Sequence, residues 1–246
     1  MTFHFAAVLP DLGIGILSDS VVSYRRGDGS WSRLEHKPKT FIVSSNAAVA
    51  CAGSQALCMA VVNRIAAKLS RDATFCEIAP SIQQAYQEVA EERDADEVEF
   101  LLAARTQRKQ QKLKLIKYSM KRTGKGLKRQ ERSDQHHFTA GLSLPALTNE
   151  LCEVLTMNYP RAGSISERIG RQLCAQSDAI KSPKSFGISI CFGAFMPVVK
   201  DYAEANDLSD TVGSPWTILV MPEDGPIDFQ STEMYDGSQS LQPYDI

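Results

Sequence analysis

Paired cysteines, an excess of either charge and any dividing linker are all missing from this 246-residue chain. Its six cysteines, Cys51, Cys58, Cys76, Cys152, Cys174 and Cys191, are scattered with no C-x-x-C spacing. They read as reduced core thiols of a cytoplasmic protein, not as a disulfide framework. The opening Met1-Thr2-Phe3-His4-Phe5 has no basic n-region, so secretion is not expected. No apolar run is read as long enough to span a bilayer, so membrane insertion is not expected either. Net charge is only −2, which argues for neither nucleic acid nor a membrane surface as a partner. No Pro/Gly/Ser-rich stretch, internal repeat or low-complexity segment interrupts the chain. With 43% hydrophobic residues, one large domain with a substantial core is expected.

Two local features stand out against this background. Between Arg105 and Arg132 lie 12 of the 27 basic residues, opposed only by Glu131. The run contains one aromatic, Tyr118, and no recognition motif, so a solvated hairpin or a contact with an acidic partner surface is expected before nucleic-acid binding. The second feature is histidine. His136 and His137 are adjacent and cannot point at one ion from a strand, and neither they nor His4 belong to a cluster with ligand spacing. No metal or other cofactor is expected.

Four short apolar or β-branched runs open the chain, over 2–8, 13–20, 37–43 and 47–53, and predict two consecutive hairpins. Helical periodicity follows over 54–69. Thr74 then caps a second helix through Val89, whose end dissolves into the acidic run 91–99, read as a solvated helix end. Runs 100–104 and 112–118 predict a third hairpin. A short strand over 138–143 leads into a helix over 145–157, and another helix is expected over 164–175. The alternation of Ile188, Ile190 and Phe192 predicts a buried strand over 186–195. A last strand over 216–221 ends in the turn Pro222-Glu223-Asp224-Gly225, and the polar tail 236–246 is expected to be mobile. Hairpins separated by pairs of helices suit an α+β fold, in which two antiparallel sheets pack together with helices outside each.

The first hairpins carry chemistry as well as pattern. Thr2 follows a removable Met1. Ile16-Leu17-Ser18-Asp19-Ser20 ends a strand, Lys39 precedes another, and Ala50-Cys51-Ala52-Gly53 leads directly into a helix. Ala140-Gly141-Leu142-Ser143 precedes the third helix. In order and spacing these features resemble the proteasome β-subunit and bacterial HslV group of N-terminal-nucleophile (Ntn) hydrolases, over roughly residues 2–195. The resemblance implies a four-layer αββα sandwich over 1–196, with 197–246 as a C-terminal extension packed on the same domain.

Methionine removal would leave a free α-amine on Thr2, and an amine with pKa near 8 can take the hydroxyl proton, so one residue supplies nucleophile and base. The resemblance implies the other roles. Lys39 assists the proton transfer and Asp19 holds it, with Lys37 a competing lysine because Pro38 separates the two. Gly53 offers an oxyanion N–H at the start of a helix. Ser23 is placed to hydrogen-bond a peptide substrate's backbone, and Ser143 to approach the threonine amine. The family's remaining Asp and Ser pair falls on Asp178 and Ser182, with Asp210 a rival. Cys51 and Gln55 are expected to shape the pocket. The activity implied is that of a threonine protease acting on peptides or unfolded proteins inside a self-compartmentalising homo-oligomeric ring, with an ATPase partner left open. Two alternatives remain: a non-catalytic ring subunit that retains Met1, and an Ntn amidase acting on a small molecule.

Overall fold

The computed structural model describes residues 2–25, 27, 31–92, 97–106, 113–123, 126–132, 137–170, 172, 175, 182–208 and 216–231. Its strands form two five-stranded antiparallel sheets and a small ribbon. The first sheet contains β1 (Phe3–Leu9) and β2 (Gly13–Asp19), joined as the predicted hairpin. The ribbon pairs β3 (Val21–Arg25) with β4 (Trp31–His36), which the sequence pattern did not suggest. The second sheet runs β5 (Thr40–Ser44), β6 (Ala47–Gly53), β7 (Val98–Arg105), β8 (Leu113–Thr123) and β9 (Gly126–Arg132), so the basic stretch falls largely on the β8–β9 hairpin. The first sheet is completed by β10 (His137–Gly141), β11 (Trp216–Pro222) and β12 (Asp228–Ser231), giving the order β10-β1-β2-β11-β12.

The helices are α1 (Gln55–Lys68), α2 (Phe75–Glu92), α3 (Pro145–Ile165), which passes into a π-helical turn at Ser166–Gly170, α4 (Pro183–Gly193) and α5 (Phe195–Ala205). At the start of α2, Thr74 N–H donates to Glu77 Oε2 at 2.9 Å, half of a capping box. Apolar side chains form three cores. Val49, Cys51, Phe100 and Leu102 of the second sheet pack with Val61, Ile65, Ile82 and Tyr86 of α1 and α2. Phe3, Phe5, Leu17 and Ile218 of the first sheet pack with Leu151, Ile188, Phe192 and Val199 of α3, α4 and α5. The third core joins Ala6, Ile14, Ile16 and Leu219 of the first sheet to Ala48, Ala50, Leu101 and Ala103 of the second. Arg105 ties the two sheets through backbone carbonyls, donating to Ser45 O at 2.9 Å, Pro222 O at 3.0 Å and Gly225 O.

Three expectations change. The stretch 186–195 is helical, not a strand. Ser182 takes the N-cap position and Pro183 the first turn, and the buried set Ser185, Ile188, Cys191 and Phe192 follows helical spacing. Phe192 lies so close to β2 that a Cβ added at Gly15 would come within 2.2 Å of its ring.

The two helices expected on either side of Pro160 are one at that point, because α3 carries Pro160 inside it. A proline there costs about 3 kcal/mol, and fully burying a leucine such as Leu147 or Leu151 offsets roughly 1.5–3 kcal/mol.

The third change concerns apolar length, since Pro183–Ala205 is long and apolar enough by composition to cross a membrane. Here it breaks at Ala194 into α4 and α5 and contributes Ile188, Phe192, Phe195 and Val199 to the core. Residue 197, where the extension was expected to begin, lies inside α5, and β11 is paired on both sides within the first sheet. The tail 236–246 lies outside the described residues.

Candidate active site

Thr2 leads into β1 and is 9% exposed. Its main chain is held from two directions. The Thr2 carbonyl accepts the Leu142 N–H at 2.7 Å, and the next amide, Phe3 N–H, donates to Asp19 Oδ1 at 2.7 Å. The first contact needs a glycine at 141, where φ is +86° and an added Cβ would sit 2.0 Å from the Thr2 carbonyl oxygen. Gly141 N–H in turn donates to Glu99 Oε2 at 2.7 Å. Glu99 also pairs with Lys117 at 2.6 Å, and Lys117 donates to Thr139 O at 2.8 Å. A carboxylate from the second sheet thus clamps the end of β10 against Thr2. Ser143 follows this clasp by one residue and is exposed.

Asp19 ends β2 with its side chain fully buried. Its Oδ2 accepts from Lys39 Nζ at 2.7 Å, and Lys39 also donates to the Val21 carbonyl at 2.5 Å. Lys39 immediately precedes β5 and is 8% exposed, so the pair is internal. Burial pushes the Asp19 carboxyl above its ordinary range, with Lys39 and the Phe3 N–H opposing. Burial likewise pulls the Lys39 ammonium down, with Asp19 opposing. Each charge makes the other's burial tolerable, and a lysine with a lowered pKa is closer to exchanging a proton near neutrality. Lys37, the competing candidate, is not the lysine on Asp19; its N–H donates to Ser20 O at 2.9 Å.

A cavity of about 160 Å³ opens beside Thr2. Thr2, Lys39, Cys51, Gly53 and Gln55 all line it, so five of the residues singled out from sequence share one space. Ser54 completes the polar wall, and Val21, Phe41, Cys58 and Met59 form the apolar wall. Among the described residues lining it, Lys39 alone carries a formal charge. Gly53 closes β6 at φ +119°, and an added Cβ there would lie 2.7 Å from the Glu97 carbonyl oxygen, so the position excludes a side chain. Ser54 is the N-cap residue of α1 and makes no side-chain capping bond. The first amides of α1 therefore begin at the cavity wall, where the helix end favours negative charge.

The remaining candidates fall elsewhere. Ser182 is not at this site: its Oγ accepts the Lys184 N–H at 3.2 Å as the cap of α4. A Cβ added at Gly225 would be 3.2 Å from it, beyond the Pro222 end of β11, which pairs with Gly13 at the opposite end of β2 from Asp19. Those two ends of β2 are separated by roughly 20 Å of extended strand. Ser23 belongs to β3 opposite Arg33, and its side chain lies outside what is described. Asp178 and its rival Asp210 lie outside the described residues.

Four residues near the site were not found from sequence: His4 as a buried hydrogen-bonding group, Ser18, Thr40 and Glu99. His4 interrupts an apolar strand between Phe3 and Phe5, and Glu99 sits between the buried Val98 and Phe100. A polar residue between apolar neighbours in a strand was the available signal for both. No group of histidine, cysteine and carboxylate side chains able to hold a metal ion occurs among the described residues. No protein-family model matches the chain, and no curated protein matches it in sequence.

Proposed function

We propose that the chain is a threonine-type peptidase of the N-terminal-nucleophile class, with the four-layer αββα arrangement of that class. The observation that carries this reading is the convergence on one cavity of Thr2, of Lys39 held by Asp19, and of the Gly53-Ser54 start of α1. The three cores, one between the sheets and one on the outer face of each, support the layered arrangement.

In this reading, removal of Met1 frees the Thr2 α-amine. The Thr2 hydroxyl attacks the carbonyl carbon of a peptide bond while its proton passes to the amine, and the neighbouring Lys39 charge favours the alkoxide. The developing oxyanion meets the Gly53 N–H and the first amides of α1. Collapse expels the leaving amine, which takes the proton and leaves an ester on Thr2. Water activated by the same amine hydrolyses that ester. Asp19 keeps Lys39 in place and, through the Phe3 N–H, fixes the start of β1. We place the active form in a homo-oligomeric ring acting on peptides or unfolded chains. Met157, at 66% exposure, and Ile169, at 38%, offer apolar surface for such contacts.

Intact mass, N-terminal sequencing and hydrolysis of a fluorogenic peptide panel test the reading. The expected protein lacks Met1 and cleaves peptides, and Thr2→Ala reduces cleavage by about 10³-fold or more. A native protein that keeps Met1, or a Thr2→Ala variant with undiminished hydrolysis, would overturn it in favour of a non-catalytic subunit. Turnover of small amides without peptides would point to an amidase.

A further inference from the structure

Four groups with no step in the chemistry above form a closed circuit beneath it. His4 Nε2 lies 2.8 Å from the Cys51 carbonyl oxygen, and Cys51 N–H donates to the Lys39 carbonyl at 2.8 Å. One residue on, the Thr40 hydroxyl is 2.6 Å from Ser18 Oγ, and Ser18 Oγ is 2.7 Å from His4 Nδ1. The circuit is dry: His4, Ser18, Thr40 and Cys51 are 0%, 1%, 3% and 4% exposed.

Chemistry fixes its direction. A carbonyl only accepts, so Nε2 must carry the imidazole proton, and in a neutral ring Nδ1 then accepts. Ser18 therefore donates its one hydroxyl proton to His4, and Thr40 donates to Ser18. A protonated imidazole would turn Nδ1 into a donor, and the Ser18 and Thr40 hydroxyls would have to reverse.

The circuit also crosses the molecule. His4 and Ser18 are register partners on β1 and β2 of the first sheet, whereas Thr40 and Cys51 belong to β5 and β6 of the second. Each member sits beside a residue of the proposed site. Ser18 precedes Asp19, Thr40 follows Lys39, His4 comes two residues after Thr2, and Cys51 two before Gly53. Residues 39 and 40 are thus held at their backbone by Cys51 and at their side chain by Ser18, and His4 joins those two holders. Apolar contact in the third core does not fix register so sharply, because alanines such as Ala6, Ala48 and Ala50 offer little side chain to interlock.

We propose that His4 is a positioning residue, a neutral Nε2-protonated imidazole that sets β1 and β2 against β5 and β6 and thereby places the Lys39 ammonium relative to Asp19 and Thr2. The kinetic part of this inference rests on the peptidase reading; the structural part does not.

The test compares wild type, His4→Phe and His4→Gln in the full-length protein labelled with ¹³C-lysine. Lys39 titration is followed at its Cε resonance, assigned with Lys39→Arg, alongside melting temperature and the peptide acylation rate per Thr2 captured by a peptide electrophile. His4→Phe keeps an aromatic ring, somewhat larger than the imidazole, and loses both bonds. It is expected to move the Lys39 midpoint by about half a pH unit or more and to lower the acylation rate about ten-fold, with KM changed less than about three-fold. His4→Gln, with an amide able to donate to the Cys51 carbonyl, should recover much of both. A merely structural histidine would lower the melting temperature and leave the Lys39 midpoint and the rate per site unchanged, and that result overturns the proposal. Should His4→Phe fail to fold, Ser18→Ala removes only the bridging hydroxyl and is read in the same way. Should wild type show no Thr2-dependent cleavage, the peptidase reading falls, while the Lys39 titration still decides the role of His4.

Discussion

His4 carries its imidazole where water does not reach, and burial holds its pKa at about 3 against an ordinary 6.5, with the Cys51 carbonyl opposing and the Lys39 charge adding to the effect. A folded pKa below the unfolded one means that the unfolded chain takes up the proton first. The contribution is therefore intact above about pH 6.5 and is lost progressively as pH falls toward 3. Between pH 7 and pH 5 the linkage amounts to about 2 kcal/mol. Urea unfolding at the two pH values should show that loss in wild type, and a smaller one in His4→Phe, which lacks the titrating group. Equal losses in the two proteins would show that His4 is not the group responsible. Asp19 presents a different balance at the same scale. Asp19→Asn leaves the Lys39 ammonium buried without its counter-charge, so it should cost about 3–5 kcal/mol in urea unfolding as well as activity. A loss below about 1 kcal/mol would mean that the pair behaves as an exposed one.

The turn from β10 into α3 makes the clearest prediction about an element. Gly141→Ala puts a methyl group into the Thr2 carbonyl and forces a positive φ on a residue with a side chain. Either the turn or Thr2 must move, so peptide cleavage should fall about 10²-fold, in keeping with a displacement of about 1 Å at a reacting group. Full activity in Gly141→Ala would show that the clasp on Thr2 is dispensable. Elements of this kind were legible where chemistry and periodicity agreed. Strands β1, β2, β5 and β6 carry clean apolar runs bounded by turn residues, and Thr2, Asp19, Lys39 and Gly53 sit at or beside their ends. The stretch 186–195 was misread because Ile188, Ile190 and Phe192 satisfy a strand period while Ile188, Cys191, Phe192 and Phe195 satisfy a helical one. In an apolar segment both patterns are present, and the Ser182-Pro183 cap was the deciding local signal. Ribbon β3–β4 and strand β9 are polar on the page, with charged residues such as Arg33 and Glu131 inside them, and so gave no period to read. Ser182 is placed at the site by the resemblance alone, and a match of motifs does not tell which end of a strand a residue reaches.

Across the whole molecule, the two sheets are joined at one end by the circuit around His4 and toward the Pro222 end of β11 by Arg105. Arg105 satisfies carbonyls at 45, 222 and 225 with one planar fork, which a lysine cannot reproduce. Arg105→Lys should therefore cost about 1–3 kcal/mol in urea unfolding, and, being remote from Thr2, should leave the cleavage rate of the folded protein close to wild type. A parallel loss of rate would mean that the two ends are coupled through the sheets. Light scattering tests the assembly at this same scale: a ring gives a mass several times that of the chain, and a stable monomer contradicts it. The order of strands in the first sheet bears on synthesis as well. Its five strands come from residues 3–19, 137–141 and 216–231, so β1 obtains its neighbour β10, and β2 its neighbour β11, only after most or nearly all of the chain has been made. Until residues 137–141 and 216–231 are made, β1 and β2 have only each other to pair with, and Thr2 is enclosed late in synthesis. In the proposed reading, the removal of Met1 has its opening before that enclosure.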